Sequence, residues 1–205
     1  MIILSKNQTS KILYAVSFDT VTYRDLQYFL DEDNAVNYRL ERIDPDHFVS
    51  LSDHALGSYI NLVTKDMQLR QRVSEIIEYN NLFRFSLVHK NSYTRAADIG
   101  PGCLIYPMVS MYTRATLVND IIVHSSTMIA HDCYLDTGCY ISAGVNIAGT
   151  TKLGKFCQIG LAAVIADNIT IPNNTIIGMN AMVRKSIVES GVYVNKANDA
   201  LTKLK

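Results

Sequence analysis

The chain has 205 residues, room for one large domain or two small ones, and its 19 basic and 19 acidic residues cancel. With no field of either sign, nucleic acid and anionic membrane surfaces are not expected partners. No apolar run approaches the ~20 residues of a membrane span, and residues 1–6 are too short for the apolar core of a signal peptide, so a cytoplasmic protein is expected.

Residues 11–16 (Lys-Ile-Leu-Tyr-Ala-Val) are a short apolar run rich in β-formers and predict a strand. Thr22, with Asp25 three residues later, has the form of a capping box opening a helix through Leu26, Phe29 and Leu30. Next come a strand over 37–44, a turn at Pro45 and a second apolar strand over 59–63. Asp66 is placed to cap a helix whose Leu69, Val73, Ile76 and Ile77 share one face, with Asn80 and Asn81 at its end and a last strand at Phe83–Val88. Alternation of strand and helix predicts a small, Rossmann-like α/β domain over residues 1–90.

A nucleotide-binding domain of this kind is expected to carry glycines after its first strand, so that backbone N–H groups can approach a diphosphate. Here the turn reads Val-Ser-Phe-Asp-Thr over 16–20, with no glycine and with a carboxylate that opposes a diphosphate. The domain therefore takes a different acceptor, uses Ser17 and nearby N–H groups as substrate contacts, or only caps the second half of the chain.

From Ile99 every sixth residue is aliphatic or Met, without insertion, through Ile105, Met111 and Leu117 to Ile177 and Val183. Four residues after most of them stands a small or β-branched residue, such as Cys103, Ala115, Thr127, Cys133 or Ala163. Period six fits no helical stripe; it is the mark of a hexapeptide β-helix, each hexad one side of a three-sided prism. The fifteen hexads predict five coils, a column on the order of 24 Å tall at ~4.8 Å per coil. All four cysteines (Cys103, Cys133, Cys139 and Cys157) fall at the small inward position, which makes them core thiols and implies neither disulfides nor a metal.

With those positions inward, His131 lies on an outward or corner position in Ile-Ala-His-Asp-Cys, 129–133. An imidazole accepts a proton near neutral pH, and the adjoining Asp132 could orient it. The alternative is an ordinary surface histidine. His124, seven residues earlier, is a weaker candidate for a substrate contact.

From Phe83 to about Val194 the chain resembles the hexapeptide-repeat (left-handed β-helix) acyltransferases. The resemblance is to the nucleotide-sugar N-acetyltransferase and sialic acid O-acetyltransferase family, nearest its bacillosamine-pathway UDP-4-amino-sugar acetyltransferases. The residues that carry it are Leu-Val-His-Lys at 87–90, Ser-Ser-Thr-Met-Ile-Ala-His-Asp-Cys at 125–133, Ala-Gly-Thr-Thr-Lys-Leu-Gly at 148–154 and Ile-Ile-Gly at 176–178. The resemblance implies a left-handed coil, a homotrimer with active sites at subunit boundaries, and acetyl-CoA as co-substrate. It also implies that His131 is the general base, that Asp132 sharpens its basicity, and that the Gly149 N–H holds the oxyanion. Tyr140 stands where the family often has a second histidine near the acetyl-CoA carbonyl. Leu161 and Met179 match positions whose backbone meets the pantetheine arm, and Lys185 or Arg184 would meet CoA phosphates. The family's closing Gly-x-Pro-Ala is replaced by Asn-Lys-Ala-Asn at 195–198.

The expectation is a β-helix acyltransferase domain over 91–194 with a short tail, 195–205. By the resemblance it transfers acetyl to the amino group of a nucleotide-linked sugar in surface-polysaccharide synthesis. Its rivals are O-acetylation of a sugar hydroxyl and a catalytically silent scaffold trimer.

Overall fold

The computed structural model describes residues 2–4, 12–32, 39–51, 57–64, 66–94, 96–195 and 201–204. They divide into two compact units, Met1–Lys90 with Pro101–Cys103, and Asn91–Gly100 with Leu104–Lys205. No helix among the described residues is long and apolar enough to cross a membrane.

The first unit is an α/β sheet built from β1 (Ile2–Leu4), β2 (Ile12–Val16), β3 (Arg39–Ile43), β4 (Ser58–Asn61) and β5 (Phe83–Val88). Its order is β1-β5-β4-β2-β3, parallel except for β1. Lys11 and residues 37–38, expected in strands, lie outside the described residues. Helix α1 (Thr20–Glu32) starts two residues before the expected Thr22. Its cap is Asp19, whose carboxylate accepts from Val21 N at 2.8 Å and from the Thr22 hydroxyl at 2.9 Å. Pro45 opens a helix, α2 (Pro45–Ser50), where a turn was expected: Asp44 accepts from Asp46 N and His47 N, and a proline in the first turn forfeits no hydrogen bond. Strand β4 stops at Asn61 because that side chain takes up the Val63 N–H at 3.1 Å, while its amide donates to Arg70 O and Ser74 Oγ. Arg70, fully buried on α3 (Met67–Tyr79), donates to Asn61 O and Val63 O and pins the chain leaving the sheet. Asp66 caps α3 by accepting from Gln68 N and Leu69 N.

The second unit is a parallel β-solenoid. Two-residue strands such as Ile122–Val123, Met128–Ile129 and Tyr134–Leu135 recur on three faces, and each pairs in parallel with the strand eighteen residues on: Ile122 with Tyr140, Met128 with Asn146, Tyr134 with Lys152. The second residue of each strand points inward, so Val123, Ile129, Leu135, Ile141, Ile147, Ile159 and Ile165 are all inaccessible to solvent. Burying such ladders stabilises the coil by roughly 1.5–3 kcal/mol per aliphatic side chain.

The ladder runs to about six turns, against the five expected. At one end Tyr93 bridges to Ser110; at the other, Val192–Asn195 pairs in parallel with Ile176–Ile177 and antiparallel with Leu201–Lys203. Backbone pairing needs no aliphatic hexad, so it continues past the last residue in register. Of the altered motif at 195–198, only Asn195 is among the described residues.

The small inward position also has a polar task. Thr127, Cys133, Cys139, Thr151 and Cys157 each donate to the carbonyl fifteen residues on, at 3.0–3.2 Å. These donors satisfy partly buried corner carbonyls. All four cysteines are buried and free, as core thiols. Replacing Thr151 with Val keeps the volume and removes the donor to Ala166 O, so unfolding should show a loss of about 1 kcal/mol. A Thr151→Val variant as stable as wild type would contradict that assignment.

Candidate active site

Ala130 to Cys133 form the corner that joins Met128–Ile129 to Tyr134–Leu135. The inward Cys133 anchors it, and Asp132 adopts the left-handed conformation (φ +59°) that the corner requires. Arg114 one coil earlier, Thr150 one coil later and Asn168 beyond it share that conformation, so the corner repeats as one edge of the prism. The His131 carbonyl accepts from Thr150 N at 2.9 Å and Asp132 N donates to Thr113 O at 3.1 Å, which fixes the backbone beneath the two side chains.

His131 Nδ1 lies 2.8 Å from Asp132 Oδ2, and the His131 side chain is 61% exposed. A charged carboxylate only accepts, so this contact needs the proton on Nδ1 and leaves the lone pair on the outward Nε2. Asp132 is also gripped by Arg114, whose Nε donates to Oδ1 at 2.5 Å and whose Nη2 donates to Oδ2 at 2.9 Å. The hydrogen bonds from Arg114, then from His131, hold its carboxyl down to about 2. A carboxyl depressed in the folded chain adds stability that is complete above its ordinary 3.8 and is lost as pH falls through about 2, so Asp132 stays charged across the physiological range. Carbon-detected NMR titration should find its midpoint about 2; a midpoint at the ordinary 3.8 would contradict the double grip.

Gly149 stands one coil beyond His131, with the imidazole against it. A Cβ there would lie 2.7 Å from His131 Cε1 and 2.8 Å from Nε2, so only glycine leaves the ring its place. Among the described residues the Gly149 N–H has no acceptor, while its carbonyl accepts from Asn168 N at 2.9 Å. The edge therefore sets the imidazole against the Gly149 backbone, whose N–H is uncommitted among the described residues. Lys185 follows Met182–Val183, the last strand on the face that carries Met128–Ile129. With Arg184, Ser186 and Tyr193 it lines a cavity of about 500 Å³.

The remaining candidates lie elsewhere. His124 adjoins the first face, where its ring stacks on Tyr106 (centroids 4.3 Å apart) and meets the edge of Tyr140 at 5.2 Å. Leu161 and Met179, 50% and 73% exposed, stand one above the other beyond that face. One chain thus presents two groups on different edges: His131, Gly149 and Lys185 on one, His124, Leu161 and Met179 on the other, with Tyr140 beside His124. Sequence reasoning missed Arg114 and Tyr106. Counting back eighteen residues from Asp132 and from His124 would have found both.

In the α/β unit, a cavity of about 260 Å³ opens at the ends of β2 and β4, lined by Phe18, Asp19, Thr20, Leu62, Val63 and Thr64. It sits where the strand order reverses, the usual ligand position in an open parallel sheet. Ser17 is 1% exposed, and its hydroxyl is engaged by Asp19 N and Asp19 O. The Asp19 carboxylate occupies the α1 terminus, where a phosphate would otherwise sit.

No protein-family model matches the chain. It is 30% identical over 123 residues to the GDP-perosamine N-acetyltransferase of Escherichia coli O157:H7, covering 60% of this chain and 55% of that protein. It is 30% identical over 77 residues to the UDP-3-O-acylglucosamine N-acyltransferase of Janthinobacterium sp. (strain Marseille), covering 38% of this chain and 22% of that one. The chain thus spans about half, or much less, of the length of these curated relatives. Among solved structures it matches the acetyltransferase domain of PglB from Neisseria gonorrhoeae FA1090, in complex with acetyl coenzyme A, with a TM-score of 0.78 at 17% identity over 96% of this chain and 100% of that one. It matches PerB from Caulobacter crescentus, in complex with CoA and GDP-perosamine, with a TM-score of 0.75 at 15% identity over 94% of this chain and 96% of that one. In fold, this chain matches these solved acetyltransferase structures, and over part of its length it is similar in sequence to sugar N-acyltransferases.

Proposed function

We propose that the chain is a cytoplasmic, acetyl-CoA-dependent N-acetyltransferase acting on the amino group of a nucleotide-linked sugar, with His131 as general base. The observation that carries this reading is the 2.8 Å contact from His131 Nδ1 to Asp132, which leaves Nε2 uncommitted on a ring set against Gly149. The acceptor amine attacks the thioester carbonyl carbon as Nε2 takes its proton. The carbonyl oxygen gains charge against the Gly149 N–H, and collapse expels the CoA thiolate, to which the imidazolium returns the proton. Positioned proton transfer of this kind contributes ~10² to 10⁴ in rate.

The two separate groups of candidates favour a homotrimer of left-handed coils. A groove between the His131 edge of one protomer and the Leu161 and Met179 edge of the next would gather both, with Lys185 at the phosphate end and Tyr140 and His124 donating from the neighbouring chain. The cavity at Phe18 to Thr20 is a separate candidate ligand pocket, its turn shaped by Ser17. The named relatives are N-acyltransferases, which favours an amine over a hydroxyl acceptor. Calorimetry with acetyl-CoA, then assays of matched amine and hydroxyl acceptors, tests the reading. Binding and transfer to the amine are expected; no binding at millimolar acetyl-CoA would favour a silent scaffold, and faster transfer to the hydroxyl would favour an O-acetyltransferase.

A further inference from the structure

Arg114 lies outside the motif around His131, eighteen residues before Asp132 and on the same edge. Its guanidinium grips both carboxylate oxygens, and the oxygen bound by Nη2 is the one that faces His131 Nδ1. Arg114 is 70% exposed, and an exposed ion pair adds little to stability, so stability does not account for this geometry. Its effect is on orientation. A two-pronged grip fixes the plane of a carboxylate as well as its position, which the single point charge of a lysine does not. Without it, Asp132 on its exposed corner would turn toward water, and the imidazole would lose the acceptor that keeps its proton on Nδ1.

We infer that Arg114 is a positioning residue, locking the Asp132 carboxylate so that His131 keeps its proton on Nδ1 and offers the Nε2 lone pair outward. The inference rests on the reading of His131 as the base. Arg114 stays charged at every working pH, so the lock holds wherever the enzyme operates.

The test uses the full chain labelled with ¹⁵N-histidine, at a pH where the ring is neutral. Wild type is expected to show the Nδ1–H tautomer at His131. Arg114→Ala should show a mixture of both tautomers and lose about tenfold in kcat, with KM for both substrates unchanged. Arg114→Lys should recover part of both, and added methylguanidinium should partly rescue Arg114→Ala. An Arg114→Ala protein that keeps the wild-type tautomer overturns the inference, whether or not kcat falls. Retained transfer by His131→Asn, assayed alongside, would overturn the base assignment instead, while the tautomer still judges Arg114.

Discussion

His131→Ala is expected to lose transfer by ~10² to 10⁴ while the chain folds as before. The ring is mostly solvent-exposed and packs into no core, and the backbone hydrogen bonds of its corner come from Thr150 N and Thr113 O, which the substitution leaves in place. Thermal unfolding should therefore move little, and acetyl-CoA binding should persist, because the proposed role of His131 is to take the acceptor's proton and not to hold the cofactor. Turnover near wild type would remove His131 from the reaction. A matching collapse of stability would mean that the loss reports misfolding.

Gly149→Ala should cost about 10² in kcat with little change in stability. The new methyl would fall inside contact distance of Cε1 and Nε2 of His131, and of those atoms the exposed imidazole is the part free to swing away. Gly149 is not among the glycines with positive φ, so alanine brings no backbone strain. The ring would leave both the acceptor and the N–H beside it. Comparing kcat and melting temperature in one preparation separates the outcomes: unaltered kcat would show that the ring's seat on Gly149 is irrelevant to transfer.

The solenoid was legible because its core repeats an aliphatic residue or Met every six positions, from Ile99 to Val183, a period that no helical stripe holds. Its ends were not, since the rungs at Tyr93 and at Val192–Asn195 lie outside the run of aliphatic hexads. In the α/β unit the elements emerged from apolar patterning, but their starts turned on which polar residue captures the first N–H groups. Asp19 and Thr22 both have capping chemistry, and Asp19 takes it; Pro45 suits a turn or a first helical turn, and Asp44 decides for the helix. His131 and Asp132 were visible as neighbours in sequence. Arg114 was not, because its contact runs up the coil axis and only the eighteen-residue register reveals it.

The most direct measurement is a crystal structure of the chain with acetyl-CoA. Expected are a thioester carbonyl within hydrogen-bond reach of the Gly149 N–H, His131 Nε2 beside the thioester, and a pantetheine arm running between two protomers toward Lys185. Acetyl-CoA held within a single protomer, or seated away from the His131 edge, would contradict the account.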